Sequence, residues 1–209
     1  MKRLYGNLKM SWPTVILFAL ATGIYTGIVL LLDVFKDTSF QDIGIAYEWW
    51  MIFAVIIVVN CEKSWEAMLK CFVFFLISQP VVYAVEIAFG PLTIQLALNY
   101  YLSFWFMMTF LTLPGGFIAF YCKKQNALGA VILGLGNTLQ LISCVSYFGS
   151  AVKDFPHHIL SGIVCLASVF ITSFYIQEKK KYRLMSIIFA FVLAAVLIVW
   201  GLMAGRHFW

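Results

Sequence analysis

The sequence predicts an all-α membrane protein, a polytopic helical bundle of about seven transmembrane helices, with six as the alternative number. Of its 209 residues, 63% are hydrophobic and only 11% are charged, which leaves too little polar surface for a soluble protein. Several uncharged runs reach the roughly 20 residues that a helix needs to cross a bilayer. We therefore expect residues 1–209 to form a single transmembrane domain.

The expected spans are apolar runs separated by short connections. Their bounds are residues 12–32, 43–61, 68–90, 96–122, 127–149, 158–176 and 184–204. The basic N-terminal segment and Ala19-Leu20-Ala21 imitate a cleaved signal peptide, but the apolar run before that site is too short for one. We expect the first span to be retained.

Basic residues predict the orientation of the spans. Eleven of the fourteen Lys and Arg residues lie in the N-terminal segment or near the second, fourth and sixth connections. The positive-inside rule then places the N-terminus in the cytoplasm and the C-terminus outside. Orientation and contact with anionic lipids account for the net charge of +5, so we expect no nucleic-acid partner.

Small residues recur at four-residue intervals on two spans. Ala19, Gly23 and Gly27 lie on the first span, and Ala130 and Gly134 lie on the fifth. In lipid such stripes allow close approach of helix backbones. The seventh span has few polar residues, so we expect much of its surface to face lipid or a partner subunit.

Two acidic residues lie inside spans, where an ionised carboxylate is unfavourable unless it is paired. Gln79, Tyr83 and Glu86 follow an i, i+4, i+7 pattern, which places them on one helical face. Glu86 is expected about one turn below the outer surface. Glu48 is expected six residues, or about 9 Å, below the outer edge of the second span.

We predict an outward-facing polar and aromatic pocket between spans two and six. Aromatic walls with a few polar anchors suit a small organic ligand, particularly a cationic or ring-bearing one. The candidate ligand-binding residues are Glu48, Glu86, Gln79, Tyr83, Trp49, Trp50, Tyr47, Asn99, Tyr100, Asn137, Gln140 and Tyr147.

Other interpretations of these residues stay open. Trp49, Trp50 and Tyr100 also fit an interfacial aromatic belt, and the Glu86 side chain could reach the interface. Asn137 and Gln140 also fit helix packing. Pro114-Gly115-Gly116 fits either a kink or a broken segment of the fourth span.

Enzymatic function is not favoured, since the chain has no H-E-x-x-H or G-x-S-x-G motif. We also expect no cofactor, no metal site and no disulfide framework. In size and expected pocket the chain resembles the substrate-binding components of energy-coupling-factor vitamin transporters, by architecture alone, although those usually have six spans.

The leading hypothesis is therefore a plasma-membrane protein that binds or transports a small molecule or a cation. The alternative is a non-catalytic accessory, sensory or channel-forming subunit that acts through helix–helix contacts. In either case we expect the chain to contact the lipid bilayer. A membrane partner subunit or a homo-oligomer is compatible with both hypotheses.

Overall fold

The computed structural model describes residues 9–153, 155 and 157–204, and it describes the side chains of these residues except 43–45. The described chain is almost entirely helical and packs as two compact units, the first ending at Phe120 and the second beginning at Tyr121. That residues 1–209 form one transmembrane domain stays a prediction.

Among its described residues the first unit contains six α-helices and a π-helical turn. α1 begins where the Ser11 hydroxyl accepts a hydrogen bond from the Thr14 N–H and Pro13 occupies the first turn. The elements are α1 (Trp12–Leu31), α2 (Ser39–Ile45), α3 (Tyr47–Asn60), α4 (Ser64–Phe89), α5 (Ile94–Tyr100), the π-helical turn (Tyr101–Trp105) and α6 (Phe106–Ala119).

From residue 121 to residue 204, the described part of the second unit has three long helices, α7 (Ala127–Lys153), α8 (Ile159–Ile176) and α9 (Lys180–Met203). α7 and α9 pack closely, because Gly134 leaves room for the Phe189 ring and for the backbone of Ser186. The predicted contact through Ala130 and Gly134 is confirmed, since Ala130 is fully buried. Much of the opposite face of α9 is apolar and exposed, as expected of a surface toward lipid.

Six helical segments are long and apolar enough to cross a membrane, among the described residues. They are Trp12–Leu31, Ser64–Phe89, Ile94–Lys123, Ala127–Lys153, Ile159–Ile176 and Lys180–Met203. The predicted all-α membrane bundle is confirmed, and the bounds of these six spans agree with the prediction to within four residues. Helix also continues through Pro80 and through Pro114, so the fourth span is not broken at Pro114-Gly115-Gly116.

The second predicted span, residues 43–61, is wrong as an uninterrupted helix. Ala46 has an extended backbone (φ −81°, ψ 134°) and separates α2 from α3. α3 has 14 residues, which corresponds to about 21 Å and is shorter than the roughly 30 Å hydrocarbon core. Hydrophobic length alone did not show this break.

α1 and α4 run in the same direction, so the chain between them must turn back. Gly23 lies against Ser78 and Val81, and Gly27 lies against Val82 and Val85. A Cβ atom at Gly23 would approach the Ser78 carbonyl oxygen to 2.6 Å, so only glycine allows this separation. The predicted contact face of the first span is therefore confirmed.

α3 runs antiparallel to the first half of α4. The Trp50 ring lies 6.0 Å from that of Phe74, and the Cys71 thiol donates to the Ala54 carbonyl oxygen at 3.9 Å. Thus a later residue of α3 meets an earlier residue of α4. α2, the break at Ala46 and α3 together form the returning segment of the first unit.

Candidate functional site

The first unit has a helix break inside its packed helices. The Ala46 N–H closes α2 by donating to the Asp42 carbonyl oxygen at 2.8 Å. The same residue caps α3 without a side-chain hydrogen bond. The start of α3 therefore presents backbone N–H groups and the positive end of a helix dipole, which favours the Glu48 carboxylate in its first turn.

The position of the break follows from its neighbours on α4. Trp50 packs against Phe74 and Phe75, which lie close to the middle of the 26-residue α4. Glu48 precedes Trp50 by two residues on the antiparallel α3, so it lies level with Leu76 and Ile77. The C-terminal end of α4 is a further twelve to thirteen residues away, or about 18–20 Å.

This depth corrects one expectation. The sequence placed Glu48 about 9 Å below the outer edge because an uninterrupted helix was assumed to run inward from Asp42. In the structure α2 packs beside α1, with the Tyr25 hydroxyl donating to the Phe40 carbonyl oxygen at 3.4 Å. The interruption at Ala46 puts Glu48 level with the middle of α4, while its depth in the bilayer stays a prediction.

Two acidic side chains flank the break and both are buried. Asp42 on α2 is 6% exposed, and Glu48 on α3 is 5% exposed. They are only six residues apart, on either side of Ala46. The break thus combines two buried carboxyl groups with a helix N-terminus.

α4 adds buried polar groups within the next turn beyond this level. Gln79 is 2% exposed and Ser78 is fully buried. The Gln79 Nε2 atom and the Ser78 hydroxyl oxygen have no hydrogen-bond partner within the described part of the protein. A buried polar group without a partner is unfavourable by about 1–3 kcal/mol, so these atoms indicate a place where a ligand or water would be stabilised.

Aromatic rings surround this level of the unit. Trp50 is buried, and its ring lies 6.5 Å from that of Trp105 in the π-helical turn. The Trp105 indole hydrogen-bonds to the Tyr83 hydroxyl, and Tyr83 lies edge-on to Tyr101 at 6.4 Å. Single π-helical turns within α-helices occur frequently at functional sites.

The other candidate residues of the first unit lie at its margin. Tyr47, Asn99 and Tyr100 are exposed, and Trp49 is half-buried with its indole N–H enclosed. Glu86 is half-buried and lies seven residues beyond Gln79 on α4, about 10 Å nearer the outer end. The structure therefore places Trp50, Glu48 and Gln79 within about one and a half turns of each other along α4 and places Glu86 apart from them.

Candidate residues of the second unit take part in its own packing. The Asn137 amide donates to the Ser173 hydroxyl at 3.0 Å and to the Val169 carbonyl oxygen at 3.4 Å. Its oxygen accepts from Thr172 at 3.0 Å. Because both amide hydrogens are used between α7 and α8, helix packing explains Asn137 better than ligand binding does.

Two further candidates lie on α7. Gln140 is buried within the second unit, and the Tyr147 ring stacks on that of His158 at 5.8 Å. His158 has a left-handed backbone (φ 66°) just before α8, and the stacked ring supports this turn. That Gln140 and Tyr147 bind a ligand stays a prediction.

Sequence reasoning missed Asp42, Ser78 and Trp105. In the sequence Asp42 marks the outer edge of a straight span. Serine is frequent at helix–helix contacts in membranes, so Ser78 did not stand out. The π-helical turn has no signature in the sequence YLSFW. These residues become recognisable only through the break and the helix register.

Comparison with known proteins yields no match: the chain matches no protein-family model, no curated protein and no solved structure.

Proposed function

We propose that this chain is a plasma-membrane protein that binds a small cationic solute at the α2–α3 break and moves it across the bilayer. The observation that carries the proposal is the pair of buried acidic side chains, Asp42 and Glu48, on either side of a helix break near mid-span. Broken helices at mid-membrane depth are a common way for transporters to form solute sites.

Charge supports a cationic ligand. An ionised carboxylate at the centre of a membrane helix is unfavourable by about 2.5–3.5 kcal/mol on insertion scales. A bound cation complements the negative charge of the two buried carboxyl groups, Asp42 and Glu48. The Gln79 amide and Ser78 hydroxyl can hydrogen-bond to polar groups of the same ligand, and the nearby tryptophans suit the apolar surface of an ammonium ion.

The outer half of α4 supports an access route from outside. Gln79, Tyr83 and Glu86 share one face, and their exposure increases from buried Gln79 to half-buried Glu86. In the proposal Glu86 attracts the cation near the surface, and Tyr83 lies between Glu86 and the break. That Gln79, Tyr83 and Glu86 line a ligand-binding pocket stays a prediction.

Thermal unfolding of the purified protein tests the proposal. Sodium, potassium, ammonium and choline serve as probes, each at matched ionic strength. A probe at about 100 times its dissociation constant stabilises the folded state by about 2.7 kcal/mol, which raises the midpoint by roughly 5–10 °C for a chain of this size. The same probe is then tested for uptake into proteoliposomes.

Glu48→Gln is the informative variant, because it keeps the shape of the side chain and removes its charge. We expect it to abolish both the midpoint shift and the uptake. Glu178→Gln removes an exposed carboxylate from the second unit and should leave both unchanged. If Glu48→Gln retains the shift and the uptake, the proposed site is wrong.

The alternative of an accessory or sensory subunit draws on the second unit. There the buried polar residues join helices, as Asn137 does between α7 and α8. Under that alternative no probe is taken up, and the protein co-purifies with a membrane partner. A channel is distinguished by cation flux that does not saturate with concentration.

A further inference from the structure

Two connecting segments of the second unit are held together by a pair of glutamines. Gln125 donates to the Ile176 carbonyl oxygen at 2.8 Å, and its side-chain oxygen accepts from the Glu178 N–H at 2.8 Å. Gln177 donates in return to the Cys122 carbonyl oxygen at 2.6 Å. We call residues 121–126 and 177–183 the basic platform, because these bonds hold them as one surface.

The basic platform carries six basic residues and one acidic residue, Glu178. Its exposed cations are Lys124, Lys179, Lys180 and Lys181. Arg183 is half-buried and is oriented by hydrogen bonds to the carbonyl oxygens of Gln177 and Glu178, each at 3.2 Å. The guanidinium charge of Arg183 is thus held in place by contacts to the backbone.

The first turn of α9 adds to this charge. α9 begins at Lys180, its first turn contains no acidic residue, and Lys179 provides no side-chain cap. A helix N-terminus has a partial positive charge, so neighbouring lysines are unfavourable there by themselves. An anion on the platform would relieve the repulsion.

Aromatic side chains place the platform at the edge of the membrane. Phe174 and Tyr175 are exposed in the last turn of α8, and the Arg183 guanidinium lies over the Phe174 ring at 4.5 Å. Tyrosine and arginine in such positions are typical of the membrane–water interface. The cations therefore lie at the level of lipid phosphates.

We infer that the basic platform binds the headgroups of anionic phospholipids, of which phosphatidylglycerol is the probe. The inference is independent of the proposed solute site, since it rests on the second unit alone. Charge complementarity at the headgroup level favours lipid over free phosphate, because a lipid also offers acyl chains to the exposed Phe174 and Tyr175.

Native mass spectrometry of the full chain tests the inference. The protein is titrated with phosphatidylglycerol or phosphatidylcholine, and the dissociation constant of the first bound lipid is measured for each. We expect clear preference for phosphatidylglycerol. Each lysine near a membrane surface contributes roughly fivefold in affinity, so K180Q/K181Q should bind phosphatidylglycerol at least about tenfold more weakly.

A matched control removes the same amount of charge elsewhere. K36Q/K153Q neutralises two exposed lysines outside the platform and should keep the lipid preference. K180R/K181R keeps the charge and should bind as the wild type does, which separates charge from folding. Glu178→Gln should strengthen binding, since it removes the acidic residue of the platform.

Three results would overturn the inference. The first is equal binding of the two lipids by the wild type. The second is an unchanged preference in K180Q/K181Q when its unfolding midpoint matches that of the control. The third is displacement of phosphatidylglycerol by millimolar inorganic phosphate, which would mean a free-anion site.

Discussion

Gly23→Ala tests the packing of α1 on α4, which determines how the first unit is arranged around the break. The added Cβ would lie 2.6 Å from the Ser78 carbonyl oxygen and 2.9 Å from two Val81 carbons. Ordinary contact begins at 3.4 Å, so α1 and α4 must separate by about 0.8 Å at this position. The obstructing atom is a backbone oxygen, which cannot move aside as a side chain can.

The expected loss follows from two opposing effects. Overpacking in a well-packed interior destabilises by about 1–3 kcal/mol, whereas replacing glycine by alanine within a helix stabilises by about 1 kcal/mol. We expect a net loss of up to about 2 kcal/mol, whereas the same change at a position with free space should give the gain alone. For a chain of this length the loss corresponds to a fall of up to roughly 8 °C in the unfolding midpoint.

Gly115→Ala is the matched control. Gly115 lies in α6, and a Cβ there would meet nothing within 4 Å. It should therefore raise the midpoint or leave it unchanged. Both variants are measured by circular dichroism during heating in detergent. If Gly23→Ala is as stable as Gly115→Ala, the close α1–α4 contact is wrong.

Three other substitutions are expected to change stability. Asn137→Leu should lower the unfolding midpoint by the equivalent of about 1 kcal/mol, because it removes the bonds between α7 and α8, whereas Asn99→Leu on the exposed face of α5 should not lower it. Gln125→Ala should speed amide exchange at Glu178, whose N–H the glutamine accepts, as measured by mass spectrometry. Lys70→Met should destabilise by about 1–3 kcal/mol, because the buried ammonium donates to both Glu66 and the Met10 carbonyl oxygen, and exposed Lys63→Met serves as its comparison. Equal midpoints within either pair, or unchanged exchange at Glu178, would contradict the corresponding contact.

The sequence allowed the long spans to be predicted well, because hydrophobic length is the main signal that a membrane helix leaves. The stripe of Ala19, Gly23 and Gly27 also identified the α1–α4 contact correctly. The break at Ala46 was missed although Gly44 stands two residues before it, because the apolar run was treated as one span on its hydrophobic length. Its cause lies in tertiary packing, which hydropathy does not record.

The site was only partly predictable for the same reason. Glu48 and Gln79 were recognised because polar residues are rare within spans. Asp42 was not, because its burial depends on α2 packing beside α1. Tyr47 and Tyr100 were included on residue type alone, and the structure shows that both are exposed.

Amide hydrogen exchange at the α2–α3 break tests the central claim most directly. In an uninterrupted helix the Tyr47 and Glu48 N–H groups bond to carbonyl oxygens four residues earlier and exchange as slowly as those of Ile56 to Val59. With the break they start α3, and water must reach them if a cation binds there. We predict exchange at least about tenfold faster at Tyr47 and Glu48 than at Ile56 to Val59. Equally slow exchange at both places would contradict the account.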